Sequence, residues 1–469
     1  MAHIWKSLVY GGALVASLLM APSAPAQQTC TKFAAPNGSG GACANEAPCK
    51  IMSFLNNASL RVPGATLCLK DGNYTGGDSM ISIPDGFAGT SEKPITIRAI
   101  NPGKVLIDGQ DSSRPINTKG SWGVIQGVNA ARGDNENVMI RGTNWLIKDL
   151  VTWNVGSNGD TNIHLSGTDN TVEDCGSFGP ARKSIAAGAA GGNRNTVRRC
   201  WARWEANLHM SSNPTNTFEG GYGQDGFTFE NTIATWNTQG RVTEPEGLGE
   251  LFSSKNSKWL GSIFYLKASD AYAASVLVFG TTDAGSHSQQ GHFNPMSNLI
   301  FKHILAYIDP AHAKFSGVKA FLFAEGSDPG HPPGTNNTLT DLTSIAGQSN
   351  AFSSSFPVGR VQYGKSIATA IGAGKSMWLD SYAGPGICKR YEKGQLTTKG
   401  LWPFPMNSRI KDALVQAGYP AVDVTQTMEQ LFGAIPEQCR TEGEIPIPPI
   451  PPGPSAVPVP PTNVTTTLQ

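Results

Sequence analysis

Residues 179–184 read Gly-Pro-Ala-Arg-Lys-Ser and set two adjacent cations, Arg182 and Lys183, at a turn. Further on, 201–205 reads Trp-Ala-Arg-Trp-Glu, with His209 beyond it. Arg182, Lys183 and Arg203 are of the types that take a proton or offset a developing negative charge. Trp153, Trp204 and Trp236 could offer flat faces to a ring, or could simply be stacked in a core. Lys183 could equally be a solvated corner lysine. The acidic stretch 243–250 (TEPEGLGE) carries the oxygen ligands that calcium takes, or is a solvated loop. Asp225, Glu230 and Glu205 are the nearest candidates for a carboxylate pair. His287, His292 and His303 lack the spacing of a zinc site on one helix, and neither Gly-x-Ser-x-Gly nor a phosphate-cradling loop occurs.

The elements that must hold these residues are legible as a repeat. Segments 142–150, 167–175, 192–200 and 224–232 align, each beginning with a turn of Gly, Asn or Asp. Ile147, Val172, Val197 and Phe229 hold the same place, at spacings of 25, 25 and 32 residues. Weaker copies follow at 256–265, 298–307 and 337–345. One such unit cannot bury its apolar side alone, but stacked units can. Asn and Gly tolerate the left-handed backbone that sharp corners require. A sandwich would need turns every 8–12 residues, and a propeller about 40 residues per blade. The spacing therefore predicts an all-β fold, a parallel β-helix solenoid.

The register assigns roles. Lys148, Glu173, Arg198 and Glu230 should form one column of alternating charge, and Asp149, Asp174, Arg199 and Asn231 a second. This makes Arg198 and Arg199 scaffold rather than catalysts. Cys175 and Cys200 should stack on adjacent coils, either as inert core or as a disulfide, with inert packing the preferred reading.

Composition agrees. Charged residues are 15% of the chain, Gly numbers 54 of 469, and formal net charge is +1. No global field draws nucleic acid or an anionic membrane. Lys6, the apolar run 8–20 and Ala24-Pro25-Ala26 read as a signal peptide over 1–26. The protein is thus expected to be secreted, periplasmic or extracellular, monomeric and not membrane-inserted. Eight cysteines then point to disulfides. Their clustering suggests Cys30–Cys68, Cys43–Cys49 and Cys388–Cys439, although sequence leaves connectivity open.

The ends look capped. Residues 48–60 have helical spacing at Ile51, Phe54 and Leu55. Two short helices are expected at 407–417 and 424–432, capped by Asn407 and Asp423, covering the C-terminal end. The domains are then 27–110 (N-terminal cap and first coils), 111–385 (solenoid body), 386–440 (C-terminal cap) and a Pro-rich disordered tail, 441–469.

The stretch 63–74, with Pro-Gly-x-Thr-Leu-x-Leu-x-Asp-Gly-x-Tyr, is followed by Lys-Pro-Ile-Thr-Ile-Arg-Ala at 93–99 and Val-x-Ile-Asp-Gly at 105–109. Together these resemble the N-terminal region of the pectate-lyase-like superfamily of right-handed parallel β-helix proteins, including its chondroitinase B branch. The resemblance covers roughly 30–345 and is specific for fold rather than activity.

It implies action on extracellular polysaccharide. The expected reaction is lyase β-elimination, in which a basic residue abstracts the proton beside a uronate carboxylate while a cation neutralises that carboxylate. In that frame Lys183, Arg182 and Arg203 would be catalytic, and Trp204, Trp153, Trp236 and His209 would bind substrate. The branch's calcium carboxylates ahead of a catalytic lysine are not matched here, since Lys255 after Glu250 fits poorly. Two alternatives stand: a non-catalytic carbohydrate-binding or cell-surface β-helix, and a glycoside hydrolase using two carboxylates.

Overall fold

The computed structural model describes residues 29–156, 159–188, 192–203, 215–236, 245–267, 275–279, 296–309, 319–323, 334–345, 350–352, 356–381 and 386–441. Strands run parallel in successive coils, and each coil presents three faces. Two faces belong to a seventeen-stranded sheet and the third to a ten-stranded sheet. The predicted core column is observed and continues further. Ile147, Val172, Val197, Phe229, Trp259, Phe301 and Leu339 pair in register and are each at most 1% exposed.

The corner between the first and second faces explains the second charge column. Asp149, Asp174, Arg199 and Asn231 all have φ between 50° and 51°, and Gly261, His303 and Asp341 continue the series. Asp and Asn enter this left-handed region easily, whereas Arg does so against steric cost. Arg199 is held there by a forked pair to Asp174 (2.7 and 2.9 Å) and by Glu173 at 3.2 Å. The first column is also a ladder, with Arg198 Nη2 at 2.5 Å from Glu173 Oε2. Burial alone would raise the Glu173 carboxyl, but Arg198 and Arg199 outweigh it and hold the group low. Both arginines are scaffold, as the register implies.

Cys30–Cys68, Cys43–Cys49 and Cys388–Cys439 are bonded. Cys175 and Cys200 depart from the preferred reading. They are a disulfide, at a Cα separation of 4.5 Å set by parallel strand pairing. Two cysteines in the same register position on adjacent strands stand just within the Cα separation that a disulfide allows.

At the N-terminus, α1 (Ile51–Leu55) buries Ile51, Phe54 and Leu55 against the first coils. It is shorter than the 48–60 pattern suggested. Near the last coil, α2 (Ile367–Ile371) opens on a Ser366/Thr369 capping box. Beyond it come α3 (Asn407–Gln416) and α4 (Val424–Phe432).

Asp423 caps α4, accepting from Gln426 N at 2.9 Å. Asn407 does not cap α3. Its Oδ1 accepts from Thr425 N (3.1 Å) and ties α3 to α4, while Met406 occupies the cap position with φ 67°. These helices lie along the flank of the second face. Ile410, Leu414, Val424, Met428, Trp378 and Trp402 form one cluster with Val151, Trp153, Phe178, Trp201 and Ile263. Gly176 makes this approach feasible, because a Cβ there would stand 2.3 Å from Ile410 Cγ1. Among the described residues, no helix is long and apolar enough to cross a membrane. The tail beyond 441 lies outside the described residues.

Candidate functional site

The third sheet carries a ribbon of charge on its outer side. In its strands Thr161–Leu165, Lys183–Ala187 and Thr215–Gly220, Ile163, Ile185 and Phe218 point into the core. Side chains alternate along a strand, so His164, Ala186 and Glu219 face outward, in register with Glu250. Thr161, Lys183 and Asn216 form a second pairing column.

The cations in this ribbon are neutralised locally. Arg182 Nη1 lies 2.5 Å from Asp160 Oδ1, and Lys183 Nζ lies 2.5 Å from Glu219 Oε1. Asn216 Nδ2 donates to Glu219 Oε2 (3.2 Å) and to Glu250 Oε2 (2.6 Å). Tyr222 lies against Lys183, whose Nζ is 5.3 Å from the ring centroid, and hydrogen-bonds with Arg182. At the edge toward the first coils, Glu136 pairs with Arg114, and His164 Nδ1 approaches Glu136 to 3.6 Å. His164 Nε2 contacts the Gly188 carbonyl at 2.6 Å.

The electrostatics follow from burial set against charge. Burial would strip the proton from Lys183, but the Glu219 carboxylate outweighs it and raises the ammonium above its ordinary value. Lys183 is therefore a buried counter-charge rather than a free base. Burial would raise Asp160, but Lys183 and Arg182 hold it low. Tyr222 is raised, chiefly by burial, so its phenol keeps its proton near neutrality, while Lys183 and Arg182 pull the other way.

The expected cations come from different strands. Arg182 and Lys183 open a third-face strand. Arg203 ends the strand Thr196–Arg203 of the other sheet, opposite Thr235, with its guanidinium 5.4 Å from the Trp201 ring. The three cations are thus supplied by two sheets and not by a single strand column.

The sugar-platform reading fails for Trp153 and Trp236, which are 4% and 1% exposed. Trp153 stacks on Phe178, which meets Tyr419 of the C-terminal segment edge-on. Trp236 belongs to the core. Trp204, Glu205, His209, Thr243, Glu244, His287 and His292 lie outside the described residues.

The end of the acidic stretch is strand rather than loop, since Pro245–Leu251 pairs along the third sheet. Among the described residues, no cluster of three or more His, Cys, Asp or Glu could hold a metal. Asp225 pairs with Lys255 (3.4 Å), and the buried Glu230 accepts from Gly394 N, so both are structurally engaged.

Sequence reasoning missed Asp160, His164, Asn216, Glu219 and Tyr222. The pairing Ala186↔Glu219 spans an irregular spacing, so the 25-residue period could not project it.

The family model described as Chondroitinase B matches residues 53–149, and this match ends before Asp160, Arg182 and Lys183. No curated protein matches the sequence. The crystal structure of pectate lyase Pel9A is similar, with TM-score 0.50 and 14% identity over 74% of this chain and 83% of that one. An alginate lyase from Paenibacillus sp. str. FPU-7 gives TM-score 0.46 and 15% identity, over 71% and 98%. A PL6 family polysaccharide lyase from Pseudopedobacter saltans gives 0.38 and 13%, over 71% and 93%. Parallel coils, an N-terminal cap and the likeness to Pel9A together show that this chain has a right-handed parallel β-helix fold.

Proposed function

We propose that the protein is a secreted polysaccharide lyase acting on uronic-acid glycans along the third sheet. The observation that carries this reading is Tyr222 set against both Arg182 and Lys183 in an outward-facing ribbon. In β-elimination the proton beside the carboxylate passes to a base. A carbon–carbon double bond forms, the glycosidic C–O bond breaks, and the leaving oxygen takes a proton. Cations at the carboxylate stabilise the intermediate charge.

Arg182, with its side chain partly open, would meet the uronate carboxylate. A guanidinium fork matches that group. Lys183, buried behind it, would act through Tyr222 by favouring the phenolate that forms when a proton leaves. In its minor phenolate form Tyr222 Oη takes the proton beside the carboxylate and then returns it to the leaving oxygen, so the tyrosine ends the cycle as it began. Four disulfides and the pattern over 1–26 support an oxidising, exported setting. The test is incubation with a panel of uronic-acid polysaccharides, followed by ultraviolet absorbance. A lyase produces absorbing unsaturated ends. Reducing ends without absorbance would indicate a hydrolase, and retention without cleavage a binding protein.

A further inference from the structure

A second site lies away from the third sheet, where α3 meets the corner of the early coils. A cavity of about 340 Å³ is lined there by Gly103, Lys104, Asn129, Arg409, Asp412 and Gln416, among others. Arg409 is the unusual member. Its side chain is half-buried, yet its one hydrogen bond among the described residues is to a neutral group, from Nη2 to Asn129 Oδ1 at 3.0 Å. No carboxylate among the described residues lies within ion-pairing distance of it. Asp149 and Asp412 act on it only from further away, and burial outweighs them, so its pKa falls below the ordinary value. A cation withdrawn this far from water normally has a charged partner, and Arg409 is left incompletely compensated.

The surroundings keep room for a partner. Gly103 sits in the left-handed corner (φ 83°), and a Cβ there would stand 2.7 Å from Arg409 Nε. The bare glycine thus lets the guanidinium lie over the corner. Asn129 Nδ2 donates to the Gly103 carbonyl (3.2 Å) and to Gln416 Oε1 (3.3 Å), which fixes the polar floor. Lys104, exposed at the rim, adds a second positive charge against the single Asp412.

We propose that this cavity binds a carboxylate borne on a small hydroxylated ring, with Arg409 as the forked anchor and Lys104 as the rim cation. The carboxylate supplies the charge Arg409 lacks, and the Asn129 and Gln416 amides suit hydroxyl groups. That the ring is a uronic acid rests on the proposed function, whereas the carboxylate itself does not.

The test titrates the full chain with sodium glucuronate, its methyl ester and inorganic phosphate, with binding read by calorimetry. Glucuronate should bind, and its uncharged ester should bind at least 10-fold more weakly. Arg409→Gln should weaken glucuronate at least 10-fold. The rim variant Lys104→Gln, which leaves packing intact, should weaken it about 3-fold, as expected for an exposed charge. Equal affinity for acid and ester would overturn the proposal. So would phosphate binding more tightly than glucuronate, or full affinity in both variants. A uronate oligosaccharide that binds at least as tightly as the monomer assigns the site to a glycan end, whereas loss of binding on lengthening overturns that assignment and leaves a free acid. Binding without lyase activity would keep this site and remove the third-sheet reaction, and lyase activity without binding would do the reverse.

Discussion

Lys183 Nζ and Glu219 Oε1 lie 2.5 Å apart on adjacent coils of the third sheet, with both side chains buried. Their pairing answers the desolvation of each and makes the lysine a fixed ammonium. Removing one partner leaves the other charge buried alone. Lys183→Ala should therefore destabilise the fold by about 3–5 kcal/mol in denaturant titration. The double variant Lys183→Met/Glu219→Leu should recover most of that loss. A single variant as stable as the parent would mean that the pair is not desolvated.

Trp236 fills the core, so its removal should act on stability and not on substrate affinity. Trp236→Ala should cost about 3–5 kcal/mol. KM, measured on the folded fraction, should not change. A raised KM with unchanged stability would restore the sugar-platform reading.

His303 sits in the corner column, with Nδ1 2.6 Å from Tyr391 Oη and Nε2 3.5 Å from Asp341 Oδ2. Burial lowers its pKa from 6.5 to about 4, with Lys302 adding and Asp341 opposing. A histidine kept neutral in the fold binds fewer protons than in the unfolded chain. Its contribution is therefore complete above pH 6.5 and lost as pH falls from 6.5 toward 4, up to about 3 kcal/mol. Denaturation midpoints near neutrality and near pH 4 should diverge, and His303→Gln should narrow the gap.

The Cys388–Cys439 bond closes 51 residues of the segment that covers the second face. Replacing both cysteines by alanine should cost about 4 kcal/mol by loop-closure entropy. Protease should then cut first within 386–441, while the solenoid coils stay protected.

The solenoid was legible because Ile147, Val172 and Val197 repeat at a fixed interval, which fixes which residues stack. The same interval located the Arg198 and Arg199 ladder and brought Cys175 opposite Cys200. Of the candidate site, only Arg182 and Lys183 were legible. Glu219, Asn216 and Tyr222 reach Lys183 through third-face strands whose spacing varies with the connections between them, so no period announced them. The tryptophans misled for a physical reason. A flat apolar ring serves a core as well as it serves a sugar, and whether it is open depends on what covers it. For Trp153 that cover includes Tyr419, far away in sequence.

The most direct test is the initial rate of ultraviolet absorbance on a uronic-acid polysaccharide, measured for the parent, Arg182→Gln and Tyr222→Phe. The account predicts a rate in the parent that falls at least 100-fold in Tyr222→Phe, as for loss of a proton-transfer group, and strongly in Arg182→Gln. Tyr222→Phe should keep the parent's stability to within about 1 kcal/mol, whereas Arg182→Gln leaves Asp160 without its ion-pair partner and should lose about 1–3 kcal/mol, so rates are compared where all three proteins are folded. Parent-like rates in both variants, or no absorbance from any uronic-acid polysaccharide, would contradict it.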